Sequence, residues 1–331
     1  TRDALGPKDI LIEIDYSGIC HSDIHSALNE HAAPGSKPLF PIIPGHEMAG
    51  HVVRAGSEVK KFAVGDLAGV GCFVDSCGEC RECKRGLEQF CLVRDPVPNL
   101  LKDGRNFRGG YSNRIVVPER NAIKIPAGAE LSRVAPLLCA GITVWSPIHF
   151  SKVKKGDTVG VAGFGGLGHM AVKYLADLGA KVTVFDITEE KRDDALRMGA
   201  ERYVNMKQPE AAGGLADSFD FIISTIPSDY RLTDYAKLLK YGAGELAVVG
   251  LPPTASVKIL ELLAVPHRKI YTSVVGGIGE HQECMDYSVA HGIYPEVKII
   301  PATPEALKEA YQNVIDGKVK FRYVIDMKTL K

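Results

Sequence analysis

Four of the eight cysteines, Cys77, Cys80, Cys83 and Cys91, fall within fifteen residues, in CGECRECKRGLEQFC. Two residues separate the first three in turn and seven separate Cys83 from Cys91, so a tight turn and a returning strand can close a tetrahedron of thiolates. Closed four-sulfur sites of this kind hold structural zinc. Three other readings compete: disulfides, an iron–sulfur cluster, and surface cysteines without partners. A reducing cytoplasm disfavours the first, and the ferredoxin run with a three-residue last gap and a following proline is absent. The charged residues Glu79, Arg81, Glu82, Lys84 and Arg85 between the ligands predict an exposed lobe that metal, rather than burial, holds rigid.

Of the other cysteines, Cys20 stands in GICHSDIH, followed closely by His21, Ser22, Asp23 and His25. A thiol, two imidazoles, a hydroxyl and a carboxylate so close together suggest chemistry. PGHEMAG is a second polar knot, where Pro44 and Gly45 break the chain before His46 and Glu47, and Cys139 lies in the apolar stretch LLCAGITVW. Taken singly, each has an ordinary explanation: a buried thiol, a capping cluster at Ser22 and Asp23, a satisfied core histidine. Taken jointly they do not. Cys72 and Cys284 are read as ordinary cysteines.

A third constellation begins after Gly156. An apolar strand, DTVGVAG, runs into GFGGLG (Gly163, Gly165, Gly166, Leu167, Gly168) and then into a helix whose apolar residues Leu167, Met170, Ala171, Tyr174, Leu175 and Leu178 trace one face. Strand, glycine triad and helix in that order bind dinucleotides: Gly163 permits the turn, Gly165 lets a pyrophosphate approach, and Gly168 lets the helix pack on the strand. The phosphates then meet the helix N-terminus. The next strand, KVTVF, ends at Asp186, placed to accept the adenosine ribose hydroxyls. A 2′-phosphate there would face a like charge, which favours NAD over NADP; Lys191 and Arg192 nearby keep NADP as the alternative.

The elements that must position these residues follow from size and pattern. At 331 residues, two domains with a pocket between them are expected. The alternating run ILIEIDYSGI delivers Cys20 to a strand end. Further apolar strands at FDFIIST, ELAVVG and IYTSVVGG alternate with helical segments such as Leu232 to Leu239, which implies a doubly wound parallel sheet. Forty basic and forty acidic residues cancel, so no global field favours nucleic acid or an anionic membrane. No apolar run reaches the roughly 18 residues of a membrane span, and the N-terminal residues lack the apolar core of a secretion signal, so a cytoplasmic location is expected.

In this order the segments resemble the zinc-containing medium-chain alcohol dehydrogenases, most closely the cinnamyl-alcohol-dehydrogenase branch with its bacterial aldehyde reductases. The likeness covers nearly the whole chain and rests on GICHSDIH, GHEMAG with Gly56 and Val59, the four-cysteine lobe, GGYS, LLCAGIT and GFGGLG. It implies an α/β chain with a GroES-like β-barrel catalytic domain at 1–149, completed by 290–331, and a Rossmann doubly wound parallel-sheet domain at 150–289. The family also has a strand pair ahead of the position matching Thr1.

The resemblance further implies a catalytic zinc on Cys20, His46 and Cys139, the two-cysteine, one-histidine set for which alcohol dehydrogenase is known. The fourth position is then open to substrate, or occupied by Glu47 when substrate is absent. Asp23 would fix the tautomer of His46. A proton would leave through Ser22, a coenzyme ribose hydroxyl and His25, with His21 near the pyrophosphate and Thr143 near the nicotinamide. With the four-cysteine site, zinc is expected at two ions per chain.

The expected activity is hydride transfer between NAD(P)(H) and a primary alcohol or aldehyde, aromatic or otherwise bulky, in a homodimer paired through IYTSVVGG. Polyol dehydrogenase is a rival, although such relatives commonly have an acidic residue where this chain has Cys139. A non-catalytic NAD-binding sensor is another, although it would not need a proton route. Members of this branch usually prefer NADP and carry a small or basic residue where Asp186 stands, so here family and local charge disagree. By family position the loop from Leu92 to Arg108 borders the substrate cleft.

Overall fold

The computed structural model describes residues 5–30, 40–96, 109–252, 255–257, 259–263 and 266–331; residues 97–108 of the expected cleft loop lie outside them. The chain divides into two compact units, one of Thr1–Ile142 with Val275–Lys331 and the other of Thr143–Val274.

The first unit is built on the strand Asp9–Ile19, in which Ile10, Ile12 and Ile14 alternate into the core. It pairs antiparallel with Met48–Ala55, with Arg114–Pro118 over its first half, and with Arg322–Asp326 over its second. Leu67–Val70 and Ile123–Lys124 extend the sheet on one side and Val297–Pro301 on the other, for seven strands in all. Met48, Val52, Val117, Tyr323 and Ile325 close the core over the isoleucines. The final segment therefore carries Arg322 to the end of the first strand, where Ile19 pairs with Tyr323.

The second unit is a six-stranded parallel sheet. Its order is Arg202–Asn205, Lys181–Asp186, Thr158–Ala162, Phe221–Ser224, Glu245–Val248, Lys269–Thr272. Counted along this unit the order is third, second, first, fourth, fifth, sixth, the doubly wound arrangement whose direction reverses beside the first strand. Phe185, Phe219, Ile222, Leu239 and Leu246 form part of its core, and the Phe185 and Phe219 rings meet edge to face with centroids 5.5 Å apart.

The boundaries differ from those expected at 150 and 289. One cut falls inside the helix Ala140–Phe150, and the chain rejoins the first unit at Val275, so the helix Ile278–His291 belongs there. That helix buries His281, Cys284 and Met285, and its Gln282 side chain bonds the main chain of Lys124 in both directions, at 2.9 and 2.7 Å. Its apolar spacing is the same whichever domain it packs on, so periodicity could not place it. The expected helix from Leu232 to Leu239 is also shorter, Thr233–Ala236.

Candidate active site

The first strand ends at Ile19, and Cys20 caps the helix His21–Leu28. The cap is reciprocal: Asp23 Oδ2 accepts from the Cys20 amide at 3.0 Å, while the Asp23 amide donates to the Cys20 carbonyl at 3.1 Å. Asp23 is fully buried, and its Oδ1 accepts from His46 Nδ1 at 2.8 Å and from the Gly45 amide at 2.9 Å. The Nδ1 proton is thereby committed to Asp23, and Nε2 presents its lone pair. Gly45, at φ +103°, makes the turn that aims His46 inward.

Cys139 arrives from the end of the 3-10 turn Ala135–Leu138. His46 Nε2 lies 3.3 Å from Cys139 Sγ, and the sulfurs of Cys20 and Cys139 are 4.0 Å apart. One donor atom from each of Cys20, His46, Glu47 and Cys139 falls within 4.8 Å of the others. Corners of a tetrahedron with bonds of about 2.0–2.3 Å stand roughly 3.3–3.8 Å apart, so two sulfurs and an imidazole at this separation fit zinc.

The electrostatics are those of donors crowded together. The contact between the two sulfurs holds Cys20 well below the usual thiol range and Cys139 well above it. Burial disfavours an imidazolium at His46, but the Asp23 carboxylate together with the sulfurs of Cys72 and Cys20 raises His46 well above its usual value. Glu47, fully buried, is pushed up to about 7 by burial against the opposing pull of Arg322, with which it forms a buried ion pair. Gly18 leaves the space for that carboxylate: a Cβ there would stand 1.9 Å from Glu47 Oε2.

Ser22 Oγ lies 3.7 Å from Cys20 Sγ. His25 stacks on His21 with centroids 4.7 Å apart, and its Nδ1 is 2.5 Å from Glu30 Oε2. Ser22 therefore faces the sulfur cluster and His25 an acidic partner at the far end of the same helix. Sequence reasoning missed Glu30, Arg322 and Cys72. Arg322 lies 275 residues from Glu47 and carries no local signal. The Cys72 thiol lies near Cys139, whose interaction holds it below the usual thiol range, although it is not among the converging donor atoms.

The four-cysteine lobe also converges, again within 4.8 Å. Cys77 Sγ is 3.8 Å from Cys83 Sγ and 3.6 Å from Cys91 Sγ. Amides of Glu79 and Cys80 point at the Cys77 sulfur, at 3.4 and 3.2 Å, and bring its pKa down to about 6, whereas burial pushes Cys83 up to about 12.

In the second unit Gly163 takes φ +87°, and Gly168 packs so closely that a Cβ would stand 2.0 Å from the Gly163 carbonyl oxygen. Among the described residues nothing within 4 Å opposes a Cβ at Gly165, so the backbone there is open to a ligand. Leu167 precedes the helix Gly168–Asp177, and Gly166 is half-buried beside it. Thr225, also unanticipated, ties its hydroxyl to the carbonyls of Ala162 and Gly163 at 3.1 and 3.0 Å. Asp186 Oδ2 accepts from the Phe164 amide at 2.8 Å and Oδ1 from the Ile187 amide at 2.6 Å, which fixes the carboxylate beside the glycine loop. Lys191 precedes the helix Arg192–Arg197, while Arg192 is bound to Glu189 Oε2 at 2.7 Å and the Tyr203 carbonyl at 3.0 Å. Thr143 is buried on the helix Ala140–Phe150.

Residues 6–127 match the family described as alcohol dehydrogenase GroES-like domain, and residues 166–289 the family described as zinc-binding dehydrogenase. NADP-dependent alcohol dehydrogenase C 1 of Mycolicibacterium smegmatis is 44% identical over 335 aligned residues, covering 100% of this chain and 94% of the relative. The crystal structure of CAD from Helicobacter pylori complexed with NADP(H) superposes with a TM-score of 0.90 at 50% identity, covering 98% of this chain and 92% of that one. A cinnamyl alcohol dehydrogenase from Sorghum bicolor gives a TM-score of 0.93 at 32% identity, covering 100% and 93%. Sequence, fold and neighbours agree that the chain belongs to the zinc-containing medium-chain alcohol dehydrogenases, in their cinnamyl-alcohol-dehydrogenase-like branch.

Proposed function

We propose that the protein is a zinc-dependent alcohol dehydrogenase and aldehyde reductase for primary alcohols and aldehydes of aromatic or otherwise bulky type, with NAD preferred over NADP. The observation that carries this reading is the convergence of Cys20, His46 and Cys139, 119 residues apart at the extremes, on one point. With zinc bound, the donor set would supply a Lewis acid for the substrate oxygen, and the glycine loop would hold the nicotinamide coenzyme that exchanges the hydride.

The chain's own residues do the rest. Two thiolates offset the charge of a divalent ion, so the reacting oxygen can gain and lose its proton near neutral pH. Asp23 keeps His46 in the tautomer that presents Nε2. Ser22 would take up the alcohol proton as its own passes through a coenzyme ribose hydroxyl to His25, which stands beside Glu30. Glu47 stands within the donor group as an alternative ligand, steadied by Arg322. His21 and Thr143 serve the pyrophosphate and the nicotinamide. Asp186 receives the ribose hydroxyls, and Arg192, engaged by Glu189, is not offered to a 2′-phosphate; Lys191 is the remaining cation there. Cys77, Cys80, Cys83 and Cys91 hold a second, structural zinc. Two such chains pair as a homodimer, and thiolate zinc sites of this kind suit a reducing compartment such as the cytoplasm.

The decisive experiment is Cys139→Ala. Turnover should fall at least about 1,000-fold, the loss of several kcal/mol of Lewis-acid stabilisation, while NADH affinity measured by fluorescence stays within about threefold. Undiminished turnover removes the reading.

A further inference from the structure

The loop that carries His46 is braced from a second side. The Gly110 amide donates to the Gly45 carbonyl at 2.8 Å and the Tyr111 amide to the Pro44 carbonyl at 2.9 Å, so GGYS lies along the residues just ahead of the ligand. The contact admits no side chain: a Cβ on Gly109 would stand 1.8 Å from the Ile43 carbonyl oxygen. With the backbones held together, the Tyr111 hydroxyl donates to Asp23 Oδ2 at 3.4 Å. The Tyr311 hydroxyl, on the helix Pro304–Ile315, donates in turn to the Tyr111 oxygen at 3.5 Å.

Asp23 has no exposed surface, so only its donors stabilise its charge. Three of them, His46 Nδ1 and the amides of Gly45 and Cys20, belong to the ligand segments themselves. Tyr111 is the fourth, and the only one of these that comes from outside them. Both phenol contacts are longer than the roughly 2.5–3.0 Å usual between two oxygens, which makes them weak and sets their effect below that of removing Asp23.

We propose that Tyr111 is a positioning residue for His46, acting through Asp23, and that Tyr311 acts only through Tyr111, so that the C-terminal helix helps to set how firmly the imidazole is held against Cys20 and Cys139. The proposal rests on the reading of that cluster as a zinc site. It makes the two tyrosine hydroxyls parts of the metal site, whereas a packing role would need only their rings.

The test uses zinc-loaded full-length protein and reads the rate at which zinc passes to a chromogenic chelator, together with the visible spectrum after cobalt substitution. Cys139→Ala identifies which release phase belongs to the catalytic site, and Asp23→Asn marks the full effect, about 10-fold to 100-fold faster release. Tyr111→Phe should speed that phase about threefold to tenfold and shift the cobalt bands, with the lobe phase and thermal midpoint unchanged. Tyr311→Phe should give a smaller acceleration and add nothing in the double variant. Wild-type release and spectra in Tyr111→Phe, with Asp23→Asn fast, overturn the brace; so does additivity in the double variant, which would give Tyr311 its own route. If Cys139→Ala removes no zinc phase, the zinc reading fails and takes the brace with it, a result distinct from the other two.

Discussion

At the scale of single residues, the proposed preference for NAD rests on Asp186. Its carboxylate is pinned by the Phe164 and Ile187 amides, so it cannot easily swing away from a ligand seated on the glycine loop. A 2′-phosphate would bring a second negative charge against it, a juxtaposition that costs several kcal/mol, and the guanidinium of Arg192, six residues on, is already paired with Glu189. Asp186→Ser should therefore raise the ratio of kcat/KM for NADPH over NADH by about tenfold to 100-fold, and steady-state kinetics with both coenzymes check it. A wild-type protein already favouring NADPH refutes the argument. Asp186 was legible because its distance from Gly168 is fixed by one helix and one strand. Arg322 and Cys72 were not, because the contacts that matter to them are made by sheet pairing and by a turn that no spacing rule describes.

The lobe from Cys77 to Cys91 is an element that its own secondary structure cannot hold. It contains a four-residue helix, Arg81–Lys84, and a three-residue 3-10 turn, Glu88–Phe90, whereas isolated helices shorter than about 12–15 residues are marginal in water. What gathers it is four sulfurs, two of them buried, around one point. Metal analysis should find about two zinc ions per chain, falling to about one in Cys91→Ser. Hydrogen exchange should then rise across residues 77–96 in that variant while the parallel sheet of the second unit stays protected. One ion in the wild type, or unchanged exchange in the variant, sinks the structural-zinc assignment. Spacing alone made this element readable. The helix Ile278–His291 was not, since amphipathic periodicity gives a face and not a partner, and its assignment depends on Gln282 reaching Lys124 from 158 residues away.

At the scale of the whole molecule, the parallel sheet ends on Lys269–Thr272, whose outer edge is unpaired among the described residues. On this strand and just beyond it, Ile270 and Val274 are 37% and 53% exposed. An open edge flanked by large apolar side chains invites pairing, and folded monomers usually blunt such edges with charge or proline. Here Lys269 is the strand's one cation, and it is spent on Glu245 at 2.8 Å. A twofold axis through this edge would join two copies into one continuous sheet and cover Ile270 and Val274, a self-complementary closure that ends at two subunits. Light scattering should accordingly give twice the chain mass of 35.8 kDa. The variant Ile270→Asp with Val274→Asp should weaken association at least about 100-fold, because each carboxylate must be desolvated against apolar surface, with the coenzyme fold unchanged by circular dichroism. A wild-type protein that scatters as a single chain at micromolar concentration would leave this edge without a partner of its own kind.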